Sequence, residues 1–197
     1  MSNLNQGLVA NYPLNDGNTR DYSGNAKNGV GFHVKTTEDR FGNLYRSYKF
    51  DGQNSYIEIR NNSLNITNNI TVAAFVKPYN VYSKLYKGPV VSHHGTNSGW
   101  ELRVGEHKAE FMVTINGVHR SVQMNNVTSS SWYFIVGTYD GRTIKIYSSS
   151  TLQAQHGYTG SITSYNGYMN IGRNPYWKDR KFFGAINHVY IYNRALS

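Results

Sequence analysis

The chain of 197 residues has no cysteine. That absence removes disulfide scaffolds, thiolate metal sites and cysteine nucleophiles together. Acidic residues are also few, 11 Asp and Glu in all, and charged residues make up only 16% of the chain. So low a charge content excludes a coiled coil and an acidic disordered chain. No apolar run is long enough to span a bilayer, so membrane insertion is not expected. The opening Met1-Ser2-Asn3-Leu4-Asn5-Gln6 is polar and lacks the basic start and apolar stretch of a signal peptide. No segment keeps a 3.6-residue apolar period over three turns, so almost no helix is expected.

What is abundant is aromatic and basic. Seventeen tyrosines, eight phenylalanines and three tryptophans raise the aromatic share to 14%, which compensates an apolar fraction of 39%. Tyrosine suits half-buried strands, being apolar in body and polar at its tip. The net charge is +9. It serves solubility, or it meets an acidic partner such as a uronic or sulfated glycan, a teichoic acid or a nucleic acid. The charges are scattered, with one local cluster, Lys178, Arg180 and Lys181, beside Tyr176 and Trp177.

Short extended runs alternate with Gly, Asn, Asp and Ser, and nothing divides the chain, so one all-β domain over residues 1–197 is expected. In Ile70 to Lys77 one face carries Ile70, Val72, Ala74 and Val76. Trp132 to Tyr139 sets Trp132, Phe134 and Val136 on one side, with Trp132 expected in the core. Asp140-Gly141 then turns the chain into Thr143 to Tyr147, with Ile144 and Ile146 on one face. Asn116-Gly117 makes the same hairpin between Ala109–Ile115 and Val118–Met124. Strands so short hide their edges only in a sandwich or a barrel. A two-sheet antiparallel sandwich is expected, with the first strand, Leu8 to Leu14, lying beside the last, Ala185 to Tyr192.

Ordered motifs along nearly the whole chain carry a family resemblance. They begin with Gly7-Leu8-Val9-Ala10-Asn11-Tyr12-Pro13-Leu14, Asp21-Tyr22-Ser23-Gly24-Asn25 and Tyr48-Lys49-Phe50-Asp51-Gly52. They continue through Gly137-Thr138-Tyr139-Asp140-Gly141 and Ile171-Gly172-Arg173 to Ile191-Tyr192-Asn193-Arg194-Ala195-Leu196-Ser197. The series resembles laminin-G-like, concanavalin-A-like jelly-roll domains. That resemblance implies two curved antiparallel sheets packed face to face. It fixes no single function, because the sandwich serves lectins, adhesion modules, enzyme appendages and viral surface domains.

The residues offer material for three site chemistries. Glycosidases of this sandwich use paired carboxylates at alternate strand positions. Glu106 and Glu110 have same-face spacing, but Gly105 and Lys108 mark that stretch as a hairpin turn, and Glu58 and Glu101 each stand alone on a strand. No Gly-x-Ser-x-Gly elbow and no His-Glu-x-x-His motif occurs, so no enzyme is expected. The resemblance implies calcium near the first loop, helped by an acidic residue opening the final strand. Here Asp21 and Asn25 are the first-loop candidates, and Asn187 stands where the acid would be. Turn formation by Asp21 and its asparagines is the favoured reading, and no cofactor is required. His93 and His94 are adjacent, so on a strand they point to opposite faces and share no metal.

The third chemistry is glycan contact. Sugars stack apolar faces on aromatic rings and offer hydroxyls to amides and guanidinium forks. The loop carrying Arg173, Asn174, Tyr176, Trp177, Lys178 and Arg180 has both, and Tyr82 and Tyr86 form a second aromatic stretch near Lys84 and Lys87. If the two loops meet at one rim, they form a basic aromatic platform. Trp100 is assignable to core or site.

The leading expectation is a non-catalytic module that binds a glycan or glycoconjugate, or mediates adhesion, placed extracellularly, on a cell surface or on a virion surface. The alternatives are a structural or attachment protein of a virus or phage particle, contacting other structural proteins, and an accessory domain of a polysaccharide-degrading enzyme. Nucleic acid is an unlikely partner, since no binding motif accompanies the charge.

Overall fold

Side chains alternate across a strand, so each alternating run has one face to hide. In the computed structural model, which describes residues 4–61, 64–81 and 83–196, these runs form two antiparallel sheets. One sheet orders β13 (Thr151–Gly157), β12 (Thr143–Ser148), β11 (Tyr133–Tyr139), β6 (Ile70–Pro78), β15 (Phe183–Tyr192), β4 (Ser47–Asp51) and β3 (Lys35–Thr37), and β1 (Leu8–Tyr12) also pairs with β15. The other orders β10 (Val118–Met124), β9 (Lys108–Ile115), β8 (Ser98–Gly105), β7 (Pro89–Gly95), β14 (Met169–Ile171), β5 (Tyr56–Ile59) and β2 (Val30–Phe32). A 3-10 turn, Leu85–Lys87, leads into β7. Among the described residues, no helix is long and apolar enough to cross a membrane.

Turn chemistry sets the registers. Asn116 (φ 50°) and Gly117 (φ 77°) both adopt the left-handed region that a two-residue hairpin needs, and Val118 pairs with Ile115. Glu106 (φ 50°) and His107 (φ 58°) make the β8–β9 turn in the same way without glycine. Glu106 therefore sits at a hairpin tip, as its flanks suggested. The terminal strands lie side by side, with Tyr12 opposite Val189.

One core lies between the sheets. Ile70, Val72, Ala74 and Val76 of β6 face Trp100, Leu102, Phe111 and Val113 of the other sheet's cluster, all fully buried. Each such Val, Leu or Ile side chain contributes about 2 kcal/mol by leaving water. Trp100 is thus a core residue.

Trp132 is not. It precedes β11 and is only half-buried, which corrects the expectation from alternation. The inward set of β11 is Ile135, Gly137 and Tyr139, while Phe134 faces outward and stacks on Phe75 at 4.3 Å. Gly137 lies against the Phe111 ring of the facing sheet, and a Cβ there would come within 2.1 Å of it. A glycine at the central inward position hides the true phase of the strand. The apolar Trp132, Phe134 and Val136 read as the core face in its place.

Candidate functional site

The outer face of the seven-stranded sheet is polar yet largely buried. Strand register aligns Glu58, Asn170, Ser92 and Glu101 across β5, β14, β7 and β8, and sets Arg103 opposite Glu110 of β9. Glu101 is fully buried and accepts from Ser92 Oγ (2.7 Å), Asn174 Nδ2 (2.6 Å) and Arg103 Nη1 (3.3 Å). Glu110 accepts from Ser121 Oγ (2.7 Å) and Gln123 Nε2 (2.9 Å), and pairs with Arg103. A buried carboxylate is tolerated only with such partners. Glu101 is the only acid on β8, as expected, and Arg103 links it to Glu110 on the adjacent strand β9. Sequence spacing missed the cluster because the two acids are neighbours only through the β8–β9 register.

Residues 173–181 lie over this polar face. Gly172 opens the segment with φ 82°, and a Cβ there would meet the Phe50 ring at 2.2 Å, so glycine alone fits. Asn174 is fully buried, not at the surface. Its Nδ2 reaches Glu101 and Ser92 Oγ (3.1 Å), and its Oδ1 accepts the backbone N–H groups of Tyr176 and Trp177, both at 2.9 Å. Asn174 is corrected from a ligand contact to the anchor of the loop, through a side-chain-to-backbone turn. Arg173 is nearly buried and packs against β5. Its guanidinium lies 3.3 Å from the Tyr56 ring centre and pairs with Glu58 Oε2 at 3.6 Å. Its Nε and Nη2 donate to the Asn170 side-chain oxygen at 3.1 and 3.2 Å once that amide is oriented toward them.

The rest of the segment faces outward. The Arg180 guanidinium lies 3.9 Å from the Trp177 ring centre and 5.0 Å from that of Tyr86. Lys87 pairs with Asp179 across the same junction. The two loops that the sequence singled out therefore meet. Tyr176 is 55% exposed and meets Trp177 edge-on at 4.9 Å, Tyr86 is 41% exposed, and Lys178 projects into solvent. Tyr82 lies outside the described residues.

Beneath Trp177 sits His94, with ring centres 5.1 Å apart. Its Nε2 is 3.3 Å from Nε2 of His119, so a single hydrogen serves both. Burial pushes the His94 pKa down to about 3, reinforced by His119 and Arg103. Burial, then Arg103, lowers His119 as well. His93 points the other way, as alternation requires, and donates from Nε2 to the Gly167 carbonyl at 3.1 Å. Its pKa falls to about 4 through burial. His119 was missed in the sequence. His94 and His119 stand on β7 and β10 with two strands between them, and nothing in their spacing marks them as neighbours.

Next to the loop is a cleft of about 600 Å³, lined by Glu58, Arg60, Tyr165, Tyr168, Arg173 and Lys178 among others.

The calcium candidates are engaged in turns and loop closure. The Asp21 carboxylate accepts from the N–H groups of Asn11 (2.9 Å), Ser23 (2.9 Å) and Lys27 (3.0 Å) and from Ser23 Oγ (2.9 Å). Partial burial pushes its pKa up, but these donors together hold it below the usual carboxylate range. Asn25 Nδ2 donates to the carbonyls of Leu8 and Val9, each at 3.1 Å. Asn187 donates to Pro13 O at 3.0 Å and receives Arg40 Nη1 on Oδ1 at 3.3 Å. Among the described residues, no group of three His, Asp or Glu is placed to hold a metal ion.

Two face-packed antiparallel sheets, with a polar outer face and looped rim, define a jelly-roll sandwich. Residues 51–197 match the profile described as the concanavalin A-like lectin/glucanases superfamily, and the chain belongs to that superfamily as a laminin-G-like member. No curated protein matches it. Among solved structures it resembles the binding domain of Paraclostridial Mosquitocidal Protein 1 (16% identity, TM-score 0.79, covering 99% of this chain and 51% of that one). It also resembles domain 4 of AbnA, a GH43 extracellular arabinanase from Geobacillus stearothermophilus, in complex with arabinotriose (16%, TM-score 0.74, 96% and 94%). A third similar structure is the receptor binding domain of botulinum neurotoxin C/D mosaic serotype (16%, TM-score 0.71, 98% and 49%). The chain thus spans about half the length of the two toxin domains. At this identity the likeness is one of fold.

Proposed function

We propose that the chain is a non-catalytic glycan-binding module acting outside the cell, with Tyr176, Trp177, Arg180 and Tyr86 as its contact platform. The observation that carries this reading is the position of Arg180 between the Trp177 and Tyr86 rings. A guanidinium held by two rings is pre-oriented, so little conformational freedom is lost when it meets sugar hydroxyls. The adjoining rings offer faces for the C–H side of a sugar. The fold's relatives support the reading in kind: one is an arabinanase domain solved with arabinotriose, and two are toxin binding domains.

The buried acids favour binding over hydrolysis. Glu101 and Glu110 hold their lone pairs on Arg103, Ser92, Asn174, Ser121 and Gln123. A general acid needs an exchangeable proton within reach of substrate, and these carboxylates are sealed. A second, narrower reading is an accessory domain of a polysaccharide-degrading enzyme. It is favoured by the arabinanase domain, which this chain matches over 94% of that domain's length.

The test is a glycan array probed with the wild type and with the Trp177→Ala/Arg180→Ala double variant, at low and high salt. The expected result is a set of glycans bound by the wild type and lost at least tenfold in the variant. Equal binding by both proteins, or no glycan bound in either salt, contradicts the proposal.

A further inference from the structure

We infer that the cleft beside the platform is a subsite for the anionic group of an acidic sugar residue, so that the favoured ligand is an oligosaccharide carrying a carboxylate or sulfate. This rests on the glycan reading above and adds to it a ligand class and a second set of contact residues.

The cleft contains three cations, Arg60, Arg173 and Lys178, against one carboxylate, Glu58. Glu58 is engaged on both oxygens. Oε1 takes Arg60 Nε at 2.7 Å, and Oε2 faces Arg173 Nη2 at 3.6 Å. It therefore holds two guanidinium groups in place and leaves the cleft with an excess of positive charge. Arg173 spends Nε and Nη2 on Asn170 and Glu58, while its Nη1 has no acceptor among the described residues. That donor is fixed in position by the Tyr56 ring and the Asn170 oxygen. Lys178 is exposed and has no carboxylate within ion-pair distance among the described residues. Unspent donors on a held guanidinium beside a free ammonium form a recognition site for an oxyanion.

The walls suit the rest of a sugar. Tyr168 is exposed and carries the Arg60 guanidinium 5.6 Å from its ring centre, and the half-buried Tyr165 lines the same cleft. The volume of about 600 Å³ falls in the range of small-ligand sites. The cleft and the platform share one short segment, with Arg173 and Lys178 on the cleft and Trp177 and Arg180 on the platform. Lys178 of the cleft follows Trp177 of the platform directly in the chain.

Carboxylated and sulfated sugars present the same chemistry, and the test separates them. The full chain is run in affinity electrophoresis at physiological ionic strength, in gels carrying polygalacturonate, its methyl-esterified form, or a sulfated galactan. Screening at that ionic strength limits the contribution of long-range charge alone. The wild type is expected to be retained at least tenfold more strongly by one of the two anionic polymers than by the ester. Whichever polymer ranks first assigns the anion. Lys178→Gln, a surface change with no folded-state partner, is expected to reduce that preference several-fold, and Arg60→Ala/Lys178→Ala to abolish it. The charge-matched control Arg20→Ala/Lys35→Ala, on exposed residues outside the cleft, is expected to keep it. A preference that survives the cleft changes, or falls equally in the control, overturns the subsite. Retention of the wild type by all three polymers alike overturns the subsite and leaves the platform standing. No retention by any of them overturns the subsite, and the array then decides whether the platform falls with it.

Discussion

The side-chain nitrogen of Asn174 lies 2.6 Å from Oε2 of Glu101 and donates to it from within a fully buried pair. One amide thereby satisfies a buried charge and, through its oxygen, starts the loop that carries Trp177. Asn174→Ala is expected to leave Glu101 short of a donor and to cost about 1–3 kcal/mol. Asn174→Asp sets a second carboxylate against the first and is expected to cost more at pH 7, recovering as the medium is acidified toward the carboxylate range. Urea unfolding of the three proteins at pH 7 and pH 5 checks both statements.

The pH dependence of stability follows from His93 and His94. Their folded pKa values, about 4 and about 3, lie below the value near 6.5 of an unfolded histidine. Between those limits the unfolded chain binds more protons, so stability rises with pH. The stabilisation is full above about pH 6.5 and is lost as pH falls toward 4, at roughly 1.4 kcal/mol per pH unit for each histidine. The depressed carboxyl of Asp21 adds a further loss below about pH 4. Unfolding free energies are expected to stay level from pH 7.5 to about 6.5 and then to fall down to pH 4.5, and His93→Phe is expected to flatten part of that slope.

The two sheets meet where Gly137 faces the Phe111 ring. Gly137→Ala places a methyl in space the ring occupies, and the expected cost is about 1–3 kcal/mol. Phe111→Leu in the same chain relieves part of the overlap, so the double variant is expected to be less unstable than the sum of the singles. A thermal melt of each of the four proteins decides it.

Asp21 is expected to act through turns. Because its carboxylate already accepts four hydrogen bonds, Asp21→Ala is expected to lower stability by about 1–3 kcal/mol with or without calcium. A melting temperature that drops in the wild type on addition of a chelator contradicts this.

Much of the sandwich was legible because alternation and turn residues are local. Ile70 to Val76 and Asn116-Gly117 behave as their spacing implies. The phase of β11 was not legible, because its inward position is Gly137, whose role is to make room for a ring 26 residues earlier in the chain. At the site, Trp177 and Arg180 stood out as an aromatic and a cation in a polar loop, and they do lie on the rim. Asn174 looked the same in sequence, yet it is buried, because its partner Glu101 is supplied by a strand 73 residues away. Glu101 and Arg103 share a face of β8, but Glu110 joins Arg103, and His119 joins His94, through strand register, which spacing along the chain does not by itself encode.

The most direct test of the central claim uses the three tryptophans as reporters. Trp100 is sealed in the core, Trp132 precedes β11, and Trp177 lies on the proposed platform. The protein is labelled with ¹⁵N, and its indole N–H resonances are followed during titration with the strongest glycan from the array. The account predicts that the Trp177 resonance moves in a saturable way while those of Trp100 and Trp132 stay in place. A glycan that binds while Trp177 stays still contradicts it.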